Sequence, residues 1–197
     1  MKQTYIKLIK STERKGIDKL IDWLENSDFF TAPASTQYHG AYEGGLLEHS
    51  LNVYSALTYE VENLKDSDFN LTQISDDSLI LVALLHDICK VNCYVESTRN
   101  VKNEKTGKWE QVPFYKREPL FPMGHGGKSV FIAQQFIQLT PMEAQAIFWH
   151  MGAYDISNYN TLNELGNAYT NNLLAFLLNQ ADMKATYILE NDLYKKN

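Results

Sequence analysis

Histidines next to carboxylates are the residues of this sequence whose types and spacing could do chemistry. The chain has 197 residues and five histidines. His86 and Asp87 are adjacent at the end of the apolar run in LLHDICK, and Lys90 follows one helical turn after His86. Burying such a pair without partners costs roughly several kcal/mol, so it predicts either a hydrogen-bond network or a metal ion. Taken alone, the pair favours the hydrogen-bond network.

Other segments contribute similar residues. His49 lies on the polar edge of a predicted helix in EGGLLEHS, His150 lies near a helix end in FWHMG, and Asp182 lies on a largely apolar face in LLNQADMK. Neutral imidazole and carboxylate are ligands that zinc, iron and manganese share, and helical bundles build such sites from facing side chains. The whole set therefore indicates a metal site between helices.

The segment FPMGHGGKS nearly matches a nucleotide-binding phosphate loop, but Pro122 stands where that motif requires a glycine. The preceding residues, YKREPL, are charged rather than strand-like. We expect instead that the glycines let the chain turn into a helix whose first residue, His125, faces the metal site. The amides of that helix start can still bind a phosphate oxygen. Lys128 is either a phosphate contact or a solvated surface lysine.

The elements that would position these residues are mainly helical. Predicted helices start near Ile17, after Gly45, near Asp76, within KSVFIAQQFIQL, at TPME and near Thr170. Ser75 is the expected cap of the third helix, which is predicted to run through HDICK. Thr140 and Glu143 are expected to form a capping box. A polar loop is predicted from Gly152 to about Asn167, before a last helix that reaches about Asp192.

The segment from Tyr94 to Phe114 has a different period and predicts two strands around a Thr106–Gly107 turn. Basic and aromatic residues alternate along it, which suits phosphate contact and base stacking. The alternative is an ordinary solvated hairpin, because four glutamates dilute the positive charge. We therefore predict an all-α fold with a small β-hairpin insertion around residues 94–117.

Composition limits the class of protein. At 44% hydrophobic residues the chain can bury the core of one domain, and its net charge of −6 argues against a broad electrostatic grip on nucleic acid. It has no apolar run of about 20 residues and no basic-then-apolar leader. We therefore expect a cytoplasmic location and no membrane association. Cys89 and Cys93 are expected to be free thiols.

The sequence resembles the HD-domain superfamily of metal-dependent phosphohydrolases. Its order of ligand-type residues is similar to the signature H…HD…H…H…D of that superfamily, through His49, His86, Asp87, His125, His150 and Asp182. HDICK resembles the HDIGK motif, and YHGAYEGGLLEHS resembles a stretch of the HD domains of bacterial three-prime exoribonucleases. GHGGKS followed by WHMG resembles small HD proteins of bacteria and phages. The resemblance implies one HD-type domain over residues 1–197, a helical bundle with its core at about 39–190.

A set of site residues follows from this resemblance. It implies one divalent ion bound by His49, His86, Asp87 and Asp182, and a second bound by Asp87, His125 and His150. The ions would be two of manganese, iron, nickel, zinc or magnesium. The implied catalytic residues are Asp87 and Lys90. The usual glycine of HDIGK is Cys89 here, which bears on how Lys90 is placed.

The implied function is a metal-dependent phosphohydrolase or phosphodiesterase that hydrolyses a nucleotide or short nucleic-acid phosphoester with a metal-activated water. The alternatives are a catalytically weak nucleotide- or partner-binding module with structural metal, and a mononuclear nucleoside phosphate phosphohydrolase. Substrate contacts are expected from His39, Lys128, Tyr154 and Asp155. His39 is equally compatible with a surface or supporting role, and Tyr154 and Asp155 with a plain surface loop.

Overall fold

A computed structural model of the chain describes residues 1–65, 68, 70–118, 123–155 and 159–194. Phe121 and Pro122, which begin the phosphate-loop-like segment, lie outside the described residues. The described part is predominantly α-helical and contains one two-stranded antiparallel sheet. This confirms the predicted class, a helical fold with a small hairpin.

The helices are α1 (Lys2–Ser11), α2 (Ile17–Glu25), α3 (Gly45–Lys65), α4 (Asp76–Leu85), α5 (His125–Ala133), α6 (Pro141–Trp149), α7 (Tyr159–Asn171) and α8 (Leu173–Lys184). The strands are β1 (Tyr94–Lys102) and β2 (Trp109–Arg117). Short 3₁₀ turns cover Ile88–Lys90, Gly152–Asp155 and Asp192–Tyr194, and a π-helical turn, Ala185–Leu189, follows α8.

Both predicted helix caps are present. The Ser75 hydroxyl accepts a hydrogen bond from the Ser78 amide at 3.1 Å. At the start of α6, the Glu143 amide donates to the Thr140 hydroxyl at 3.2 Å, and the Thr140 amide donates to the Glu143 carboxylate at 2.8 Å. These local bonds satisfy amides that have no partner inside the helix, and so fix where α4 and α6 begin.

Two predicted boundaries are wrong. The predicted loop from 152 to about 167 contains most of α7, whose buried Leu165 and Ala168 lie one turn apart. The predicted last helix is divided, because α8 begins only at Leu173 and gives way to the π-helical turn at Ala185. Helix α1 was not predicted, although Tyr5 and Ile9 are fully buried and the Tyr5 hydroxyl donates to the Leu84 carbonyl at 2.9 Å.

Helix α4 is the centre of the core. Every residue from Leu79 to Leu85 is buried, and α4 packs against α1, α3 and α6. Each large apolar side chain buried in this way contributes about 1.5–3 kcal/mol to folding. Helix α8 packs against α3 and α6. The ends of α4, α6 and α8 therefore meet the starts of α3 and α5, which is where the candidate site residues lie.

The hairpin lies outside this core. Strands β1 and β2 pair from Tyr94↔Arg117 at the base to Lys102↔Trp109 at the tip, and most of their side chains are exposed. Gly107 turns the chain at the tip with a positive φ of 68°, a conformation that glycine adopts readily. At the base, the Tyr94 hydroxyl donates to the Ala34 carbonyl at 3.2 Å. The insertion predicted around 94–117 is therefore confirmed as a hairpin.

None of the helices in the described ranges combines the length and the apolar character that crossing a membrane would require.

Candidate metal centre

The chain leaves helix α4 immediately before Asp87. His86 is the C-cap of α4 and still helical, whereas Asp87 has φ −105° and ψ 13° and starts the 3₁₀ turn Ile88–Lys90. The prediction that α4 continues through HDICK is therefore wrong. Leaving the helix at this point lets Asp87 stay beside His86, with the His86 Nε2 3.4 Å from the Asp87 Oδ2.

The two carboxylate oxygens of Asp87 face different histidines. Oδ1 lies 2.6 Å from the His125 Nε2 and 3.6 Å from the His150 Nε2. Oδ2 lies 3.6 Å from the His49 Nε2 and 3.4 Å from the His86 Nε2. Asp87 is 2% exposed, so these contacts form inside the protein. One buried carboxylate thus stands between two pairs of imidazoles.

Asp182 completes the group. Its Oδ1 lies 3.2 Å from the His49 Nε2, and Asp182 extends from α8 whereas His49 extends from the first turn of α3. All six residues that the sequence suggested as metal ligands therefore come together in space, from five helices.

The imidazole rings are held so that Nε2 points inward. The His86 Nδ1 donates to the Ala83 carbonyl at 2.8 Å, and the His150 Nδ1 donates to the Ile147 carbonyl at 2.6 Å. A carbonyl oxygen only accepts, so Nδ1 must carry the proton, and in a neutral ring Nε2 keeps its lone pair. The inward-facing nitrogen is therefore the one that can bind a metal.

Glycines bring α5 and α6 close together. A Cβ atom added at Gly126 would lie 2.1 Å from the Phe148 carbonyl oxygen, so only a residue without a side chain fits there. This close backbone approach places His125, the first residue of α5, beside His150, with ring centroids 5.2 Å apart. The sequence expectation that glycines allow His125 to start a helix facing the site is consistent with this packing.

The donor set fits a divalent cation. Within the described part of the chain, the buried His150 Nε2 has no hydrogen-bond partner. The His49 and His86 Nε2 atoms lie 3.3 Å apart, and two lone pairs at that distance need a proton or a cation between them. Ligand atoms gather within 4.8 Å of one another in the groups His49–His86–Asp182, His86–Asp87–His150 and Asp87–Cys89–His125. Imidazole and carboxylate together suit transition metals.

Charge coupling keeps the carboxylates ionised. Burial by itself would raise the pKa of Asp87, but the Lys90 ammonium, the nearby His86 and His150 rings and the hydrogen bond from His125 hold that pKa well below its usual range. Burial likewise disfavours the charged form of His49, yet its hydrogen bonds to Asp182 and Glu190 raise its pKa to about 10. The same partnership with His49 lowers the pKa of Asp182 against the effect of burial. The site is thus rich in negative charge.

Lys90 faces the site despite the cysteine that precedes it. Its Nζ lies 2.6 Å from the Asp87 Oδ2, and the residue is 9% exposed. Cys89 is buried, and burial raises the pKa of its thiol to about 12, so it stays protonated. The Cys89 Sγ lies 3.4 Å from the His125 Nδ1. Replacing the usual glycine of this motif with Cys89 therefore does not turn Lys90 away.

A cavity of about 580 Å³ opens onto the centre. Five of the six candidate ligands line it, together with Lys90 and His39, and Tyr38, Tyr154 and Tyr187 lie around it with large exposed fractions. The volume is in the range of about 300–1,000 Å³ that small-molecule sites occupy. The cavity can therefore hold a ligand next to Asp87.

The four candidate substrate residues differ in position. His39 and Tyr154 line the cavity, and the His39 ring lies 4.8 Å from the His49 ring. Asp155 is exposed next to Tyr154. Lys128 is only 4% exposed, so the alternative that it is a solvated surface lysine is wrong. Lys128 is not one of the described residues that line the cavity.

Sequence reasoning missed Glu190. Its side chain is 3% exposed, and its Oε1 and Oε2 lie 3.0 and 3.2 Å from the His49 Nδ1. Asn52 donates to the same carboxylate at 3.0 Å. The one available signal was spacing, because Glu190 follows Asp182 by about two helical turns. Tyr94 and Arg117, which also line the cavity, were not singled out as site residues either.

Comparison with known proteins gives one local similarity. No family model matches the chain, and no solved structure matches it. A stretch of 64 residues is 36% identical to the dihydroneopterin 2′,3′-cyclic phosphate phosphodiesterase of Methanocaldococcus jannaschii. That stretch covers 32% of this chain and 25% of the relative. This chain is therefore similar to a part of a phosphodiesterase and spans about a quarter of its length.

Proposed function

We propose that the protein is a metal-dependent phosphohydrolase or phosphodiesterase of the HD type, acting on a phosphoester of a nucleotide or short nucleic acid. The observation that carries the proposal is the division of the Asp87 carboxylate, with Oδ1 facing His125 and His150 and Oδ2 facing His49 and His86. The local similarity to a phosphodiesterase supports the choice of phosphoester hydrolysis.

Two groups of residues would hold the ions. His49, His86, Asp87 and Asp182 would bind one divalent ion, and Asp87, His125 and His150 would bind a second. Manganese, iron, nickel, zinc and magnesium are the candidates. When bound, such ions lower the pKa of water for attack on phosphorus and neutralise charge on the phosphoryl oxygens.

Lys90 supplies a fixed positive charge. Burial alone would lower the pKa of its ammonium, but the ion pair with Asp87 raises the pKa above its ordinary value. An ammonium has three donors, so Lys90 can bind Asp87 and a phosphoryl oxygen at the same time. Because it lines the cavity, it is placed to stabilise the charge that develops on that oxygen.

His39 is suited to orienting substrate rather than to supplying a proton. Burial, with a further contribution from the neighbouring charge of His49, lowers the pKa of its ring to about 4. The ring is therefore neutral at pH 7 and can donate or accept a hydrogen bond. Hydrolysis breaks one P–O bond, forms another to the water oxygen and protonates the leaving oxygen, and that proton would come from water rather than from His39.

One observation favours a mononuclear site as the second candidate. His125 bonds directly to the Asp87 Oδ1 at 2.6 Å and contacts the Cys89 Sγ, so a second ion would have to separate His125 from Asp87. In that case the protein would be a mononuclear nucleoside phosphate phosphohydrolase, with His49, His86, Asp87 and Asp182 as the ligands.

Metal content per chain tests these candidates. Protein purified without chelator, and again after reconstitution with manganese, would be compared with the His125→Ala variant by elemental analysis. We expect two ions per chain, falling to one in the variant. One ion that the variant retains would indicate the mononuclear enzyme, and no ion in any preparation would contradict a metal-dependent enzyme.

Activity provides the second test. Rates of hydrolysis would be measured on a phosphodiester, a monoester and a nucleoside triphosphate, each with manganese. The unaltered chain would be compared with Asp87→Asn, a variant that keeps the shape of the Asp87 side chain and removes its charge. We expect the variant to lose hydrolysis and bound metal together. Hydrolysis that survives in Asp87→Asn would rule out the proposed site.

A further inference from the structure

One face of the β-hairpin continues into the cavity. Residues that are directly opposite in an antiparallel pair share a face, and that face repeats at every second position. The pairs Tyr94↔Arg117, Glu96↔Tyr115 and Lys102↔Trp109 therefore lie on one face. We call it the aromatic face; its rings are Tyr94, Tyr115 and Trp109, its basic residues are Lys102 and Arg117, and Glu96 is its one acidic residue. Tyr94 and Arg117, at its base, line the cavity.

The tip of the aromatic face is open to solvent, whereas part of the opposite face contacts the rest of the protein. Trp109, at the tip, is 70% exposed. On the opposite face, the Arg99 guanidinium lies 5.8 Å from the centre of the Phe114 ring and donates to the Gln37 side chain. Trp109 contributes little to the core of this chain, and together with Tyr94 and Tyr115 on the same face it offers rings on which a ligand can stack.

The charge of the hairpin is opposite to that of the chain. Residues 94–118 contain six basic and four acidic residues, although the whole chain carries a net charge of −6. On the aromatic face, Arg117 lies with Tyr94 and Tyr115 at the base and Lys102 lies with Trp109 at the tip, and the pairs Thr98↔Pro113 and Asn100↔Gln111 separate the two groups. Rings that stack on bases, combined with cations that contact phosphates, are the features that bind single-stranded nucleic acid. A duplex keeps its bases stacked and would not use the exposed rings in this way.

The length of the face fits several nucleotides. From Tyr94 to Lys102 the strand advances eight residues, or roughly 26 Å at about 3.3 Å per residue. Proteins that bind single strands commonly contact about 4–16 nucleotides per domain. A single nucleotide in the cavity would reach only the base of the hairpin.

We propose that the aromatic face binds a single strand of several nucleotides and leads one end of it into the cavity. This names the substrate class of the proposed hydrolase and rests on that function for the cleavage step. Binding of the strand does not depend on cleavage, so the two can be tested separately.

Fluorescence anisotropy tests the binding. The full chain, with chelator present to prevent hydrolysis, would be titrated against fluorescein-labelled oligothymidylates of about eight and about two nucleotides. We expect Trp109→Ala to raise the Kd for the longer strand by about tenfold and to leave the Kd for the shorter strand unchanged. We expect Lys102→Glu to lower the slope of log Kd against log salt concentration by about 0.7.

Matched variants on the opposite face serve as controls. Val101→Ala and Lys116→Glu remove an apolar and a basic side chain from that face, and we expect each to change the Kd by less than about twofold. All four positions are exposed, so thermal melting should show no loss of fold. Equal affinity for both strand lengths, or an equal loss in the control variants, would overturn the proposal. A dimer that Trp109→Ala dissociates in sedimentation would overturn it too, by assigning the face to a second copy of the chain.

A small chromogenic diester, bis(4-nitrophenyl) phosphate, separates this proposal from the function on which it rests. Hydrolysis of this diester with manganese, together with oligonucleotide binding that is independent of length, would remove the role of the aromatic face alone. Length-dependent binding without hydrolysis of any phosphoester would remove the proposed function and leave the binding face intact.

Discussion

The two halves of the candidate metal centre share Asp87 but differ in charge. One half, which we call the Asp182 half, contains His49, His86 and Asp182, and Glu190 bonds to its His49. The other, the His125 half, contains His125 and His150 and has the Cys89 thiol beside it. The Asp182 half therefore has two carboxylates besides Asp87, whereas among the described residues Asp87 is the carboxylate that bonds to His125. Electrostatic attraction predicts that divalent cations bind more tightly to the Asp182 half.

The pKa values of His49 and His125 differ in the direction expected from the charges of the two halves. In the Asp182 half, hydrogen bonds to two carboxylates outweigh burial and raise the pKa of His49 to about 10. In the His125 half, burial outweighs the bond to Asp87 and lowers the pKa of His125, whereas for His150 the effect of burial is outweighed by the Asp87 carboxylate, which raises the pKa. Without metal at neutral pH, a proton therefore occupies the Asp182 half where a cation would bind, and His125 is neutral. The Asp182 half therefore holds a positive charge even without metal. In the His125 half, the attraction for a cation comes mainly from the Asp87 carboxylate.

The largest expected effect comes from removing the residue that both halves share. Asp87→Ala leaves the buried Lys90 ammonium without its partner, so we expect unfolding in urea to show a loss of about 3–5 kcal/mol as well as a loss of all metal. Adding Lys90→Met removes the unpaired charge and should restore much of the stability. An Asp87→Ala variant that is as stable as the unaltered chain and keeps its metal would show that Asp87 does not join the two halves.

The order of affinity in the two halves gives the next effect. We expect Asp182→Ala to weaken the tighter manganese ion by at least about 100-fold, because it removes a ligand and a negative charge. His125→Ala should leave that ion in place and affect only the weaker one. Competition with a chromogenic chelator measures both. If His125→Ala removes the tighter ion, the charge comparison between the halves is wrong.

Glu190 should have a smaller effect that acts through His49. We expect Glu190→Ala to weaken manganese binding by about 10–100-fold, since the ring loses the acceptor that orients it, and Glu190→Gln to have a smaller effect. Nitrogen NMR of the chelated protein should show His49 changing its proportion of tautomers. Glu48→Gln is a suitable control, because Glu48 is next to His49 but bonds to Tyr42. Unchanged affinity and an unchanged NMR signal in Glu190→Ala would leave Glu190 without a positioning role.

The most gradual effect is on stability as a function of pH, measured in chelator. The folded pKa of His49, about 10, lies above its unfolded value of about 6.5, so its contribution is complete below about pH 6.5 and is lost as the pH rises towards 10. We expect the free energy of unfolding to fall over that range by up to about 1.4 kcal/mol per pH unit. His125 has a lowered pKa and the opposite sign, so its contribution is present above about pH 6.5 and is lost as the pH falls. In urea unfolding of His49→Gln, the free energy of unfolding should change less steeply with pH above pH 7. A pH dependence equal to that of the unaltered chain would contradict the role of His49.

Local signals predicted local structure well. The caps at Ser75 and Thr140 were predictable, because a side chain there bonds to an amide three residues away. The hairpin was predictable from its change of period and its turn. The gathering of the ligand-type residues was expected from their order along the chain, through resemblance rather than from any physical calculation.

Features that depend on distant packing were not predictable. The end of α4 at His86 follows a continuous apolar run that gives no sign of where the helix stops. Helix α7 lies in a polar segment where only a few apolar residues mark the buried side. Lys128 is buried, and α5 approaches α6 closely at Gly126, but nothing within GHGGKS indicates either feature. The role of Glu190 depends on the chain path after the π-helical turn, which the sequence pattern does not reveal.

The close approach at Gly126 makes the two halves differ in mechanical stiffness. In the His125 half, the backbone of α5 rests directly on the Phe148 carbonyl, and main-chain atoms in contact cannot be pushed closer. In the Asp182 half, the closing contacts are side-chain bonds of His49 to Asp182 and Glu190, which can lengthen or shorten as rotamers adjust. The separation of His125 from His150 is therefore set rigidly, and the His125 half should discriminate among ions by radius more sharply than the Asp182 half.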